Sequence, residues 1–308
     1  MNNKNTVIGF VLIGLILVGF SWYNTKIFKE QERARFVADS IARVEALKNA
    51  PKIDSTALNS LPDSLQAWFS RIDKSLSGYD TTSLVSRINR GENPALDNLF
   101  IECFNSSREV YNATGGAFDI SAAPLFDIWG FGFKSGELPD DALVAQTIAT
   151  SGMKRLKSDM NGLLSEDGTL APASLLADGL QDQTLPKLNY NAIAQGYSCD
   201  VVARYLYSIG VKDMMVDIGE IFCDGVNPSG QPWTLGIDRP TDGNNEIGAD
   251  IQGIFRVPAG PHGVVTSGNY RKFYVKGGRK YAHTIDPLTG YPVDHNLLSA
   301  TIVAPDAM

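Results

Sequence analysis

Histidine, cysteine and positive charge are all scarce in this sequence. Three cysteines (Cys103, Cys199, Cys223) lie far apart in 308 residues, with no C-x-x-C pair. That count and spacing exclude a disulfide framework and a thiolate zinc site, and leave the three as small buried apolar residues. The charge balance is −7 overall, and residues 1–52 hold eight Lys or Arg against four Asp or Glu, leaving 19 against 30 for the remainder. A domain that acidic lacks the footprint of a nucleic-acid binder. After Tyr23 there is no further long hydrophobic run, no internal repeat and no low-complexity tract. With 44% hydrophobic and 20% charged residues, the chain has ample material for a core and is not a disordered polymer.

The amino terminus differs from the rest. Val7–Tyr23 carries no charge and ends on Trp22-Tyr23, the length and interfacial aromatics expected of a short membrane-spanning helix of at least about 17 residues. No small-residue cleavage site and no lipidatable Cys follows, so residues 1–25 are expected to be an uncleaved anchor, with a removed signal peptide as the alternative. The first 45 or so residues also resemble the first membrane helix of YidC-type membrane protein insertases, with none of the further spans such a protein needs. Residues 26–52 are charge-rich with helical spacing and read as a solvated stalk ending near Pro51.

From residue 53 the pattern is that of one α+β unit, helical first and β-rich later. Leu61, Leu65, Trp68, Phe69, Ile72 and Leu76 follow the 3.6-residue period, with Pro62 and Asp63 in the first turn. Further helices are expected over Pro94–Thr114, stopped by Gly115-Gly116, and over Ala192–Ile209, stopped by Gly210. Short β-rich runs then follow, from DMMVDIG to LLSATIVAP, predicting a largely antiparallel sheet with one hairpin turning at Gly277-Gly278.

Four glycine-rich or polar islands interrupt this pattern. Gly115–Gly132 combines glycines, two aspartates and the aromatics Phe118, Phe126, Trp129 and Phe131, as in a loop that brings backbone against a flat ligand, or in a rigid turn over a core. Asn189–Asp200 sets small residues at a helix start, where free N–H groups can receive a phosphate. Val264–Phe273 places Thr266-Ser267-Gly268 at a strand end, either an anion-binding run of hydroxyls and amides or a plain turn. His283–Val293 joins an imidazole to a carboxylate in a Pro/Gly-fixed loop; His283 is a candidate proton carrier, whereas His262 and His295 have no such neighbourhood.

In this order, the islands together with SLSGYDTTSLVSRINRG and VDIGEIFCDGVNPSGQPWTLGIDRP resemble the ApbE family of FAD:protein FMN transferases over residues 53–308. The resemblance implies an ApbE-like α+β fold and a Mg²⁺-dependent reaction. FAD is cleaved at its diphosphate, FMN passes to a Thr or Ser hydroxyl of an acceptor protein as a phosphoester, and AMP leaves. Carried onto this chain, it implies that Tyr79, Ala117, Phe118, Asp119, Asn189 and Gln195 hold FAD and that the Ala194 carbonyl touches the metal. It further implies that Thr284 lies beside the phosphates with His283, the preferred general base. The acceptor would be a membrane redox subunit, and the domain would sit outside the cytoplasm on the inner membrane. The alternatives are an FAD diphosphatase releasing FMN and AMP, and a catalytically impaired FAD-binding protein.

Two departures accompany the match. Where the family has Asp-x-Gly-Gly-Ile-Ala-Lys-Gly, this chain has Asn189-Tyr190-Asn191-Ala192-Ile193-Ala194-Gln195-Gly196, so a carboxylate and an ammonium are both replaced by amides. The family also begins with a Met-Gly-Thr strand and ends with an Asp-Ala-x-Ala-Thr helix that completes the metal site, whereas this sequence stops at Asp306-Ala307-Met308. The remaining metal ligands are therefore expected beyond Met308, and a chain of this length is expected to bind Mg²⁺ weakly and to transfer FMN poorly.

Overall fold

The computed structural model describes residues 55–92, 94–132, 138–157, 175–176, 185–242, 244 and 246–308. The anchor and stalk expected over residues 1–52 lie outside these residues. Among the described residues no helix is long and apolar enough to cross a membrane.

The first half is helical. After the short α1 (Ser55–Asn59), α2 runs over Leu61–Leu76, the span that the apolar period predicts, with Pro62 in its first turn and Ile72 and Leu76 buried. Helix α3 (Leu84–Asn89) starts where the Ser83 hydroxyl accepts from the Ser86 N–H, and α4 (Asn98–Ala113) where the Asp97 carboxylate accepts from the Phe100 N–H. That cap explains why α4 begins four residues later than Pro94. Two further helices, α5 (Ala123–Ile128) and α6 (Asp141–Thr150), precede a 3₁₀ turn at Met153–Arg155. Helix α5 corrects the reading of the first island as loop throughout, because its second half is one turn and a half of helix.

Helix α7 (Ala194–Ser208) is the spine of the domain. Tyr197 and Val201 join the helical core with Phe100, Cys103, Phe104 and Tyr190. Cys199, Val202 and Ala203 instead pack on the sheet residues Met214, Val216 and Phe222. All three cysteines are free and buried, and burial pushes the Cys199 and Cys223 thiols up to about 12 and about 11. They are structural residues, not nucleophiles.

The second half consists of β1 (Met214–Asp217), β2 (Ile221–Asp224), β3 (Thr234–Asp238), β4 (Ile251–Arg256), β5 (His262–Gly268), β6 (Phe273–Lys276), β7 (Arg279–Ala282) and β8 (Ser299–Ala304). Among the described residues every strand pairing is antiparallel, but there are three sheets where the β-rich runs suggest one: β1-β2-β5-β8, β3-β4 and β6-β7. Hairpin β6–β7 turns at Gly277-Gly278, with φ +60° and +76° and Lys276 opposite Arg279. Two successive positive-φ residues are what a two-residue hairpin loop of this twist requires.

Candidate functional site

The four islands form a closed circuit of contacts. The first meets the second where the Asn189 N–H donates to the Ile120 carbonyl at 2.7 Å. From the second, the Gln195 amide donates to the Ile218 carbonyl at 3.3 Å, which ties the start of α7 to the β1–β2 turn. That turn meets the third island where the Thr266 N–H donates to Glu220 Oε2 at 3.1 Å. The third meets the fourth where the Thr284 hydroxyl donates to Asn269 Oδ1 at 2.7 Å. The circuit closes where the Trp129 indole N–H donates to the Gly290 carbonyl at 2.7 Å. At Gly116, with φ +91°, a Cβ would lie 3.2 Å from Leu288 Cδ2, so the first island also leans directly on the fourth.

Within this frame the sequence candidates differ in how much of their polar capacity is already used. Asp119 is engaged at both oxygens by its own chain: Oδ1 accepts from the Ser121 N–H and hydroxyl at 2.7 and 2.5 Å, and Oδ2 accepts from the Met153 N–H at 3.1 Å. It fastens the loop carrying Ala117 and Phe118 to the 3₁₀ turn. Asn189 spends its side-chain oxygen on the Asn191 N–H at 2.8 Å, shaping the turn that leads into α7. Tyr79 is exposed and lies over this turn, its hydroxyl 3.4 Å from Asn191 Nδ2. The Ala194 carbonyl accepts the Ser198 hydroxyl at 2.6 Å. Thr266 shares a 2.9 Å hydroxyl contact with Thr301 on β8, and Ser267 and Gly268 stand opposite Ala300 and Ser299 in the same ladder. Thr266-Ser267-Gly268 is therefore the last part of a paired strand, not a free turn.

His283 is held at one ring nitrogen only. Its backbone N–H and Nδ1 both lie near the Lys272 carbonyl, at 3.2 and 3.1 Å. A carbonyl oxygen can only accept, so Nδ1 carries the proton and Nε2 keeps its lone pair. Burial holds the imidazole below its ordinary value, opposed by that hydrogen bond. The ring is therefore a neutral base at neutral pH.

Three residues of this frame are not legible as site residues in the sequence. Glu220 sits inside what reads as the strand EIFCDG, yet its carboxylate takes the Thr266 N–H, and burial, reinforced by Asp217, holds its pKa above the ordinary range. Asn269 enters the frame through its side-chain contact with Thr284, 15 residues away. Asp200 receives the end of the chain, accepting the Ala307 and Met308 N–H groups at 2.8 and 2.9 Å. Burial, with Asp306 adding its charge, pushes Asp200 up to about 6. The absence of a side chain at Gly196 makes this approach possible, since a Cβ there would lie 1.7 Å from the Ala307 carbonyl oxygen. The Ala307–Met308 backbone thus lies against the first turns of α7, at Gly196 and Asp200.

Comparison with known proteins follows the same outline. The profile of the ApbE family matches residues 39–308. The FAD:protein FMN transferase of Salmonella typhimurium is 31% identical over 264 residues, which cover 83% of this chain and 70% of that protein. Among solved structures, the flavin transferase ApbE from Vibrio cholerae superposes with a TM-score of 0.63 at 27% identity, covering 82% of this chain and 75% of that one. The flavinyl transferase ApbE of Pseudomonas stutzeri, in its apo form, gives 0.64 at 28% identity, covering 84% and 73%.

Proposed function

The chain belongs to the ApbE family, and from that premise we propose that the circuit of islands is the site of FAD:protein FMN transfer. An acceptor Ser or Thr hydroxyl gives its proton to His283 Nε2 while its oxygen attacks the FMN-side phosphorus of the FAD diphosphate. The P–O bond to the AMP phosphate breaks, AMP departs with the electron pair, and FMN stays on the acceptor as a phosphoester. The observation that carries this reading is the pinned tautomer of His283, which leaves Nε2 basic at the junction of the third and fourth islands. Gln195, at the start of α7, lies where N–H groups and the positive helix end favour a phosphate. Tyr79, Ala117 and Phe118 present the exposed and half-buried surface on which a flavin nucleotide can lie. Asp119 acts as a positioning residue, because both its side-chain oxygens accept from the chain's own donors, whereas Asn189 commits its oxygen and keeps its amide N–H groups for the nucleotide.

The family resemblance also brings Mg²⁺, which would neutralise the diphosphate when bound. Among the described residues no group of three or more His, Cys, Asp or Glu could hold a metal ion, and the Ala194 carbonyl already accepts a hydroxyl. These donors do not make a Mg²⁺ site by themselves, so no step above runs through the metal. For localisation, the uncharged Val7–Tyr23 supports a membrane tether, while placement of the domain outside the cytoplasm and a membrane redox subunit as acceptor rest on the family resemblance, against a flanking-charge count (Lys26, Lys29, Arg33 and Arg35 after the span, Lys4 before it) that favours the cytoplasmic side; fractionation with protease protection tests this.

The chemical test is a product balance. The purified chain is incubated with FAD and excess Mg²⁺, with and without a Ser/Thr acceptor, and nucleotides are resolved by HPLC. AMP that appears only with acceptor, matched by covalent flavin, supports transfer. Free FMN and AMP without acceptor make the protein an FAD diphosphatase, and bound FAD without turnover makes it a binding protein.

A further inference from the structure

The most basic stretch of this acidic domain is the hairpin beside His283. Residues 271–280 (RKFYVKGGRK) carry five Lys or Arg and no acid. One face of the hairpin is fixed. Tyr274 and Tyr281 stand opposite each other and stack at 5.3 Å, Tyr274 stacks on Phe131 at 5.2 Å, and Tyr281 stacks on Trp129 at 5.9 Å. The Tyr274 hydroxyl adds a hydrogen bond to the Trp129 carbonyl at 3.1 Å. The other face is open, with Val275 62% exposed.

Its charges are only partly answered. Arg271 pairs with Asp238 and Lys280 with Asp242, but Lys272 and Lys276 make no ion pair among the described residues. Arg279 meets Asp294 at 3.3 Å with both side chains mostly in solvent, a contact of little energetic weight. No third strand pairs with β6 or β7 among the described residues, so the hairpin also presents unpaired backbone N–H and C=O groups. Chain continuity links this surface to the reacting imidazole, since Ala282 ends β7 and the Lys272 carbonyl holds His283.

We propose that hairpin β6–β7 is the docking surface for the acceptor protein, which lays an extended acidic segment along it and so presents its Ser or Thr hydroxyl to His283. The inference rests on the transferase reading and adds the recognition step that reading lacks. Strand addition to an open edge supplies main-chain hydrogen bonds, and Lys272, Lys276 and Arg279 supply charge complementarity to carboxylates. A lipid surface would use the same charges but would have no need of their continuity with His283.

The test uses the 308-residue chain and two short synthetic peptides labelled with a far-red dye, sharing a central Thr flanked by Asp and Glu in one and by Lys and Arg in the other. Anisotropy titrations are run with and without FAD, on the wild type and on a Lys276→Glu, Arg279→Glu double variant. FAD affinity is read separately from flavin fluorescence. The acidic peptide is expected to bind about tenfold more tightly than the basic one, with the difference shrinking as salt is raised to about 1 M. The double variant is expected to invert the preference with FAD affinity unchanged, and a gain for the basic peptide shows that the variant is folded. Equal binding of the two peptides overturns the proposal, as does an unchanged preference in the double variant. Loss of FAD affinity in the variant reassigns the patch to the nucleotide. Anisotropy independent of the variant, with loss of binding to anionic phosphatidylserine vesicles, reassigns it to a membrane. If neither protein binds FAD while the peptide preference holds, the transferase reading fails and the docking surface stands.

Discussion

Asp119 and His283 are both polar residues in glycine-rich islands, and their surroundings differ in one respect that separates their roles. Both Asp119 oxygens are taken up by Ser121 and Met153, whereas His283 uses one ring nitrogen and keeps the other. A group whose hydrogen-bonding capacity is spent within the chain holds geometry, and one with capacity to spare can do chemistry. The two amides at the start of α7 both keep capacity: Asn189 commits its oxygen to the Asn191 N–H but not its own N–H donors, and Gln195 makes one 3.3 Å contact that a ligand could displace.

The contrast is broken most severely at His283. His283→Ala is expected to lower FMN transfer by about 10²–10⁴-fold while FAD binding persists, as removal of a positioned base does; single-turnover rates and flavin fluorescence measure the two. Because burial depresses the imidazole pKa, the base form predominates at neutral pH. The acid limb of the pH–rate profile should lie below the ordinary value of about 6.5. Equal FAD affinity but equal rates in the variant would move the base elsewhere.

Asp119→Ala should behave in the opposite sense. Leaving the Ser121 and Met153 donors unanswered costs about 1–3 kcal/mol of stability, read as a fall in thermal midpoint, and FAD affinity should drop only as far as the loop loosens. An affinity loss with unchanged stability would make Asp119 a direct ligand.

Asp200 sharpens the comparison from the side of stability. Its folded pKa of about 6 exceeds the ordinary 3.8, so the folded state holds its proton more tightly than the unfolded chain. Its contribution is therefore greatest below about 4 and declines as pH rises to about 6. Over that window the wild type should lose stability relative to Asp200→Asn, and parallel melting curves at each pH would contradict this.

Gln195→Lys should give the smallest effect, a several-fold tightening of FAD binding as a neutral donor becomes a charged one. An unchanged titration would place Gln195 away from the diphosphate.

Much of this fold is legible in the sequence wherever a local pattern is strong. The apolar period gives α2 its ends, and paired glycines place the β6–β7 turn. Helix α5 escapes because six residues are too short to establish a period, and its aromatics read equally as loop. The split into three sheets escapes because pairing is decided by distant partners, as when β8 joins β5 across the His283 loop. Among site residues, His283 is conspicuous as a rare imidazole in a Pro/Gly-fixed loop. Glu220 is hidden in a strand-like run, since its meaning comes from Thr266, 46 residues later.

The central claim is that His283 Nε2 receives the acceptor proton as FMN is transferred. Its most direct test is mass spectrometry of the acceptor, with HPLC of AMP, after incubation with FAD, excess Mg²⁺ and either the wild-type chain or His283→Ala. The account predicts one FMN on a Ser or Thr for each AMP released by the wild type, and near absence of both with a variant that still binds FAD. Equal labelling by the two proteins would contradict it.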